Sequence, residues 1–175
     1  LQAIGWAQEL GLPLQVNTLV AAETADDLAA IYHLLIPYEI ARWSLFFLIS
    51  VGRGKVLQAL EPTEAEELMR WIYRTGKQSP FVIATTEAPS YRRVAIEEMQ
   101  AEGLTGDMIK RSPAARGFRI RDGNGVMFVS QSGEVCPAGF LPLPVGNIRQ
   151  QRLADLYRHH ELFRAMHDPG QFHGR

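Results

Sequence analysis

Residues 43–51 read WSLFFLISV, a run of nine residues without a charged side chain. A continuous apolar run of this kind is typical of a β-strand that is buried on both faces of a parallel sheet. Two shorter runs, LQVNTLV at 14–20 and FVIATT at 81–86, predict two more strands. The glycines at positions 52 and 54 predict a tight loop directly after the run at 43–51.

Helical patterns fall before, between and after these apolar runs. Thr63, followed three residues later by Glu66, matches a capping box and predicts the start of a helix. Strands that alternate with helices indicate βαβ units, so we expect the three strands to lie parallel in one sheet. The predicted helices cover residues 1–10, 24–36, 63–74 and 91–101, and Glu23 or Thr24 is expected to open the second of them.

The pattern changes after Gly103, where residues 104–116 combine Gly, Ser, Pro and Arg without periodicity. Short extended pieces and Gly-rich turns then predict β-hairpins, and an amphipathic pattern predicts one final helix. The extended pieces lie at 118–121, 126–129 and 134–136, and the helix lies at 151–166. The predicted organisation is an α/β part at 1–103, a linker or mobile loop at 104–116 and a hairpin-plus-helix module at 117–175.

Composition and charge limit the class of protein. Hydrophobic residues make up 46% of the chain, as in ordinary globular proteins. The 18 Lys and Arg balance 19 Asp and Glu, so the net charge gives no long-range electrostatic attraction to nucleic acid or anionic lipid. The apolar stretch from Leu45 to Ile49 is far shorter than the roughly 20 residues that span a bilayer. Residues 1–10 carry no signal-peptide pattern. The single cysteine, Cys136, excludes an internal disulfide and favours a reducing, cytoplasmic environment.

Asn17 places an amide inside an apolar strand. Ligands of parallel sheets bind at the carboxyl ends of the strands, so Asn17 could hydrogen-bond a ligand there. The alternative is a buried amide that neighbouring backbone groups satisfy. The loop at 52–55, with two glycines, Arg53 and Lys55, could hold a phosphate or a carboxylate. It lacks P-loop spacing, and the alternative is a tight strand-to-helix turn.

Other polar groups suggest weaker sites. Glu87 follows the third strand and could act as an acid or base, or simply pair with Arg92 or Arg93. Cys136 and the histidines could form a metal site, but their spacing matches no zinc pattern, and a lone cysteine usually behaves as a small buried hydrophobe. The five histidines are His33, His159, His160, His167 and His173.

The C-terminal motifs resemble the start of a SPASM-type extension of radical S-adenosylmethionine enzymes. Such extensions carry a G-x-V-x-P hairpin, a G-N-I/V-R turn and an L-x-D/E-I/L-Y/W helix. The matching segments here are 133–137, 146–149 and 153–157. The strands at 14–20 and 43–51 resemble the fifth and sixth strands of the partial, TIM-barrel-like (β/α)6 barrel of these enzymes. Members involved in coenzyme PQQ synthesis or heme biosynthesis look most similar.

This resemblance implies specific roles for individual residues. Asn17, Ile49, Val51 and Gly52 would contact S-adenosylmethionine. Cys136 lies in the hairpin that leads toward an auxiliary iron–sulfur cluster in such enzymes. The sequence contains no CxxxCxxC motif. We therefore expect an inactive fragment that binds neither the 4Fe–4S cluster nor S-adenosylmethionine on its own, although both would be cofactors of the full-length enzyme.

The implied activity is generation of a 5′-deoxyadenosyl radical for cofactor biosynthesis or peptide modification, with a small molecule or a peptide as substrate. Two other functions stay open: a phosphate- or carboxylate-binding barrel enzyme that uses the loop at 52–55, and a non-catalytic interaction module. Half of a barrel would leave Trp43, Phe46 and Phe47 partly uncovered. Because large apolar patches drive association, we also expect the fragment to self-associate.

Overall fold

The computed structural model describes residues 2–112 and 121–171. The chain divides into two compact units, Leu1–Lys110 and Arg111–Arg175. Each unit has its own cluster of buried apolar side chains. The predicted extended piece at 118–121 lies outside the described residues except for Arg121, and so do residues 113–116 of the predicted linker. Within the described ranges, every helix is too short or too polar to pass through a lipid bilayer.

The first unit alternates strands and helices, as the sequence predicts. Short 3-10 turns cover Ala25–Asp27, Ile36–Tyr38 and Gly52–Val56. The main elements in chain order are α1 (Gln2–Glu9), β1 (Gln15–Val20), α2 (Leu28–Leu35), β2 (Arg42–Phe47), α3 (Pro62–Gly76), β3 (Val82–Thr86), α4 (Tyr91–Ala101) and α5 (Gly106–Arg111).

The three strands form one sheet in the order β1-β2-β3, and both neighbouring pairs are parallel. The register places Asn17 opposite Ser44 and Ser44 opposite Ala84. This arrangement confirms the predicted α/β fold with a parallel sheet. Because parallel strands end at the same edge, the loops that follow β1, β2 and β3 emerge together at the carboxyl edge of this sheet.

The core of the first unit lies between the sheet and its helices. Trp43 and Leu45 on β2 are fully buried, and the Trp43 indole nitrogen donates a hydrogen bond to Thr18 Oγ1 at 2.8 Å. The expectation that Trp43 is partly uncovered is therefore wrong, because helices cover that face. Phe46 and Phe47 are half-buried. The other buried members of this cluster are Val20, Leu28, Leu35, Ile40, Ile72 and Phe81.

Several element boundaries differ from the predicted ones. β2 ends at Phe47 instead of residue 51, because the chain turns sharply where the Val51 amide donates to the Ile49 carbonyl at 2.7 Å. α3 begins at Pro62, and its capping box uses Glu61 and Glu64, not Thr63 and Glu66.

The helical segment predicted to open at Glu23 or Thr24 begins directly after Thr24, as a 3-10 turn at Ala25–Asp27 that continues into α2. The Thr24 side chain does not cap it and instead accepts the Ala21 amide at 3.0 Å. Helix formation near residue 106, in contrast, departs from prediction. Part of the predicted linker at 104–116 is helical, since α5 covers Gly106–Arg111 and buries Ile109.

The second unit is a set of short strands followed by two helices. Its strands are β4 (Arg121–Asp122), β5 (Gly125–Val126), β6 (Phe128–Val129), β7 (Glu134–Cys136) and β8 (Gly146–Asn147). β7 pairs antiparallel with β6 and with β8, which the sequence predicts only as a turn. Val135, Val145, Leu156 and Phe163 form its core.

The predicted single helix at 151–166 is two helices, α6 (Leu153–His159) and α7 (Glu161–His167). His160 between them has an extended backbone, and its Nδ1 accepts the Leu162 amide at 3.2 Å. The break lets Leu156 on α6 and Phe163 on α7 both reach the same core.

Ion pairs connect the outer faces of α3 and α4. Arg74 forms two hydrogen bonds with Glu98, at 2.7 and 3.0 Å, and Lys77 contacts Glu102 at 2.7 Å. Arg93 donates to Glu66 at 2.6 Å. These hydrogen bonds, from Arg93, Arg74 and Lys77 respectively, hold the pKa values of Glu66, Glu98 and Glu102 below the ordinary carboxyl value.

We predict that acid weakens the first unit through these carboxylates. A lowered pKa in the folded state contributes stability above the unfolded pKa of about 4.5, and this contribution is lost as the pH falls through the folded value. The melting temperature should therefore drop between pH 6 and pH 3 more steeply in wild type than in the Glu66→Gln, Glu98→Gln, Glu102→Gln triple variant. Glu67→Gln, at an exposed position on α3, is the control. If the melting temperatures of wild type and the triple variant fall equally steeply with pH, the prediction is contradicted.

Candidate functional site

The loop after β2 is a compact turn that depends on a glycine. The Gly54 amide donates to the Val51 carbonyl at 2.9 Å, and the Leu57 amide donates to the Gly54 carbonyl at 3.2 Å. A Cβ atom on Gly54 would lie 3.0 Å from the Ile49 carbonyl oxygen and 3.2 Å from Leu48 Cδ1. A side chain at position 54 would therefore force the loop or the end of its strand to shift.

Ile49, Val51 and Gly52 lie together in this loop. Ile49 is half-buried, Val51 is 41% exposed, and Gly52 has a φ of +52°, in the left-handed region that favours glycine. Val56, at the end of the turn, is 85% exposed, the highest value of any large hydrophobic residue described. The loop thus presents apolar side chains that no core covers, at the edge of the sheet where ligands of parallel sheets bind.

Asn17 lies deeper along the sheet than these loop residues. It is the third residue of β1 and pairs in register with Ser44, three residues before the end of β2. A strand rise of about 3.3 Å per residue places it about 10 Å from that end. Its side chain is exposed, and Gln15 Nε2 donates to its Oδ1 at 2.8 Å. The alternative of a buried amide satisfied by backbone is therefore wrong.

The loops after β1 and β2 are joined to each other. The Ala22 amide donates to the Gln58 carbonyl at 2.9 Å, and the Gln58 amide donates to the Glu23 carboxylate at 3.0 and 3.3 Å. The sequence pattern places Glu23 only at a helix start, and it gives Gln58 no role. No local pattern signals this pair, because 35 residues separate them.

Glu87 occupies the corresponding position after β3. It is exposed, and its φ of +58° is in the left-handed region, which is unusual for a residue with a side chain. Arg93, one predicted partner, pairs with Glu66 and Glu97 instead. Glu87 therefore reaches the carboxyl edge of the sheet, but it makes no ion pair among the residues that the structure describes.

Cys136 ends β7 and lies in register with Phe128. It is 6% exposed, and burial, reinforced by the charge of Glu134, raises the pKa of its thiol. In the described structure this environment favours the neutral thiol over the thiolate. Residues 2–112 and 121–171 contain no group of three or more His, Cys, Asp or Glu side chains that lie close enough together to bind a metal ion.

The histidines have other surroundings. His160 Nδ1 is occupied by the Leu162 amide, and the His167 ring packs 4.8 Å from the Tyr157 ring. In the first unit, His33 contacts the edge of Tyr32 with ring centres 5.5 Å apart. His173 lies outside the described residues. Among residues 2–112 and 121–171, Cys136 and the four described histidines do not assemble the Cys/His metal site that the sequence left open.

Comparison with known proteins identifies relatives along almost the entire chain. The AdoMet-dependent heme synthase of Methanosarcina barkeri is 29% identical over 93% of this chain and 47% of its own length. The enzyme of the same name from Oleidesulfovibrio alaskensis is 30% identical over 100% of this chain and 46% of its own length. The chain is therefore related to AdoMet-dependent heme synthases. This relation confirms the predicted resemblance to radical S-adenosylmethionine enzymes.

The heme synthase of Nitratidesulfovibrio vulgaris, 28% identical over 100% of the chain and 48% of its own length, agrees with the other two. The chain spans about half the length of these heme synthases. No protein-family profile matches it.

Solved structures show the same fold at low sequence identity. SuiB of Streptococcus suis superposes with a TM-score of 0.65 and 14% identity, over 94% of this chain and 39% of SuiB. SuiB bound to its precursor peptide SuiA gives a TM-score of 0.66 and 13% identity over 94% of this chain and 38% of SuiB. SuiB has also been solved with S-adenosylmethionine bound. At this identity the likeness establishes the fold of the chain.

Proposed function

We propose that this chain forms the S-adenosylmethionine-binding edge of a radical S-adenosylmethionine enzyme, together with the start of its SPASM-type extension. The observation that carries the proposal is sequence identity of 28–30% to AdoMet-dependent heme synthases over 93–100% of the chain. The proposed activity of the complete protein is radical generation from S-adenosylmethionine in the cytoplasm.

The described residues suit S-adenosylmethionine in two ways. Val51, 41% exposed beside the half-buried Ile49, offers an apolar surface to an adenine ring, and the backbone around Gly52 offers polar groups to its edge. Asn17 has its Oδ1 occupied by Gln15, which leaves its amide nitrogen as the donor for a ligand hydroxyl or carboxylate. In the proposal these residues bind and orient the cofactor and keep water from one of its faces.

The described residues do not suit an iron–sulfur cluster. Four thiolates usually hold such a cluster, whereas Cys136 is the single cysteine of the sequence and its thiol pKa is raised by burial. We therefore assign no step of cluster chemistry to this chain, and we expect it to cleave no S-adenosylmethionine by itself. Its proposed contribution is limited to binding S-adenosylmethionine.

Cofactor biosynthesis is the proposed reaction class. The sequence relatives are named as heme synthases, and their identity to this chain is twice that of SuiB. Peptide modification, suggested by the SuiB complex with its precursor peptide, rests on fold likeness at 13% identity. A small-molecule substrate therefore has better support than a peptide.

The phosphate- or carboxylate-binding alternative has less support. A glycine-rich anion site needs backbone amides that point at the ligand. Here the Gly54 amide donates to the Val51 carbonyl, within the turn itself. The 3-10 turn over Gly52–Val56 supports the other interpretation of this loop, a tight strand-to-helix turn.

The test is binding of S-adenosylmethionine to the complete protein, prepared without oxygen and followed by equilibrium dialysis. Gly54→Ala should weaken binding about tenfold, equivalent to about 1.4 kcal/mol, because the new Cβ pushes the turn away from Ile49. Gly76→Ala is the matched control, since a Cβ there meets nothing within 4 Å. Inorganic phosphate tests the alternative ligand. No binding of S-adenosylmethionine, or binding that Gly54→Ala leaves unchanged, contradicts the proposal.

A further inference from the structure

The loop at 48–58 is attached to the end of β1 at both of its ends. At the first end, the Leu48 amide donates to the Val20 carbonyl at 2.9 Å, which extends the ladder between β1 and β2 by one bond. At the second end, both backbone groups of Gln58 are bonded to the loop after β1. Ile49, Val51 and Gly52 lie between these two attachments.

One of the two bonds of the second attachment is made by a side chain, that of Glu23. The Glu23 carboxylate accepts the Gln58 amide at 3.0 Å, beside the bond from the Ala22 amide to the Gln58 carbonyl. Thr24 fixes the turn that brings Glu23 there, because its hydroxyl accepts the Ala21 amide at 3.0 Å and donates to the Leu19 carbonyl at 2.9 Å. A hydrogen bond to a charged acceptor is about twice as strong as a neutral one.

Packing gives this loop little support. Val51 and Val56 are 41% and 85% exposed, so apolar contacts within the first unit do not hold them. Segments with few buried contacts open locally at low free energy unless hydrogen bonds close them. The order of the loop at 48–58 therefore depends on its two attachments more than on the core.

We infer that Glu23 is a positioning residue for S-adenosylmethionine, holding the loop at 48–58 in its binding conformation through the backbone of Gln58. The inference rests on the proposed function, because Ile49, Val51 and Gly52 are the proposed contacts. Glu23 itself is not one of the proposed cofactor contacts. It acts by reducing the conformational freedom that binding would otherwise have to remove.

Three variants test the inference in the complete protein. Glu23→Ala should accelerate amide hydrogen exchange across residues 52–58 and weaken S-adenosylmethionine binding, each about tenfold, as expected for loss of a charge-assisted hydrogen bond. Glu23→Gln keeps a side-chain carbonyl oxygen for the Gln58 amide and should recover most of both. Glu67→Ala, an exposed glutamate on α3, should leave both unchanged. Glu23→Ala and Glu23→Gln should change the melting temperature by no more than Glu67→Ala does.

The outcomes separate this inference from the proposed function. Unchanged exchange at 52–58 in Glu23→Ala shows that the carboxylate does not hold the loop, and overturns the inference. Faster exchange with unchanged affinity shows that loop order does not set binding, and also overturns it while the proposed function stands. Wild-type protein that binds no S-adenosylmethionine overturns the proposed function and, with it, the positioning role.

Discussion

Replacing Trp43 by alanine is expected to lower the free energy of unfolding of the first unit by about 3–5 kcal/mol. The side chain is 0% exposed, stacks on Tyr32 with ring centres 6.2 Å apart and meets the edge of Trp71 at 6.4 Å. Removing it leaves a cavity between the sheet and its helices. It also leaves the Thr18 hydroxyl, which accepts the indole N–H at 2.8 Å, without this hydrogen-bond partner. Urea unfolding followed by far-ultraviolet circular dichroism measures the loss.

Two further variants separate the contribution of Trp43 packing from that of its hydrogen bond to Thr18. Trp6→Ala removes the same side chain from α1, where it is 56% exposed, and should cost less than about 0.5 kcal/mol. Thr18→Val keeps the volume but leaves the indole N–H without its acceptor, and should cost about 1–3 kcal/mol. A loss below about 1 kcal/mol for Trp43→Ala means that this residue does not organise the core.

The sequence predicts secondary structure best where hydrophobic residues form a continuous run or recur at helical spacing. The apolar runs at 14–20 and 81–86 give β1 and β3 to within one residue, and the helix predicted at 91–101 matches α4 (Tyr91–Ala101). The alternation of these elements is enough to predict a parallel sheet, because a helix between two strands returns the chain to the same edge.

Apolar character alone does not show where a strand ends. Ile49 and Val51 continue the run of β2 in hydrophobicity, yet they belong to a loop whose turn is set by the bond between the Gly54 amide and the Val51 carbonyl. Similarly, the break at His160 follows no Gly or Pro. It is fixed by the tertiary requirement that Leu156 and Phe163 fill one core.

The candidate site was only partly predictable for the same reason. Position after a strand indicates that Gly52 and Glu87 reach one edge of the sheet. The attachment of Glu23 to Gln58 depends on how two loops meet in space, and no spacing in the sequence encodes it. Cys136 resembles a ligand by motif, but its burial and its raised thiol pKa became visible only in the fold.

Phe163→Ala is expected to lower the free energy of unfolding of the second unit by about 3–5 kcal/mol. Phe163 is fully buried beside Val135, Val145 and Leu156, and its ring centre lies 5.3 Å from that of Tyr157. It comes from α7, whereas Leu156 comes from α6, so its loss disconnects the second helix from the strands. Small units have small stability margins, so this change should leave much of the second unit unfolded at 37 °C.

Local probes distinguish this effect from general unfolding. Amide hydrogen exchange at β7 and α7 should become much faster in Phe163→Ala, because both elements pack on the missing ring. All three tryptophans, Trp6, Trp43 and Trp71, belong to the first unit, so their fluorescence follows that unit alone. Phe140→Ala removes a phenylalanine that is 51% exposed in the same unit and serves as the control. Preserved protection of β7 in Phe163→Ala would show that Val135 and Val145 hold the strands without α7, and that the helix is an accessory to this core.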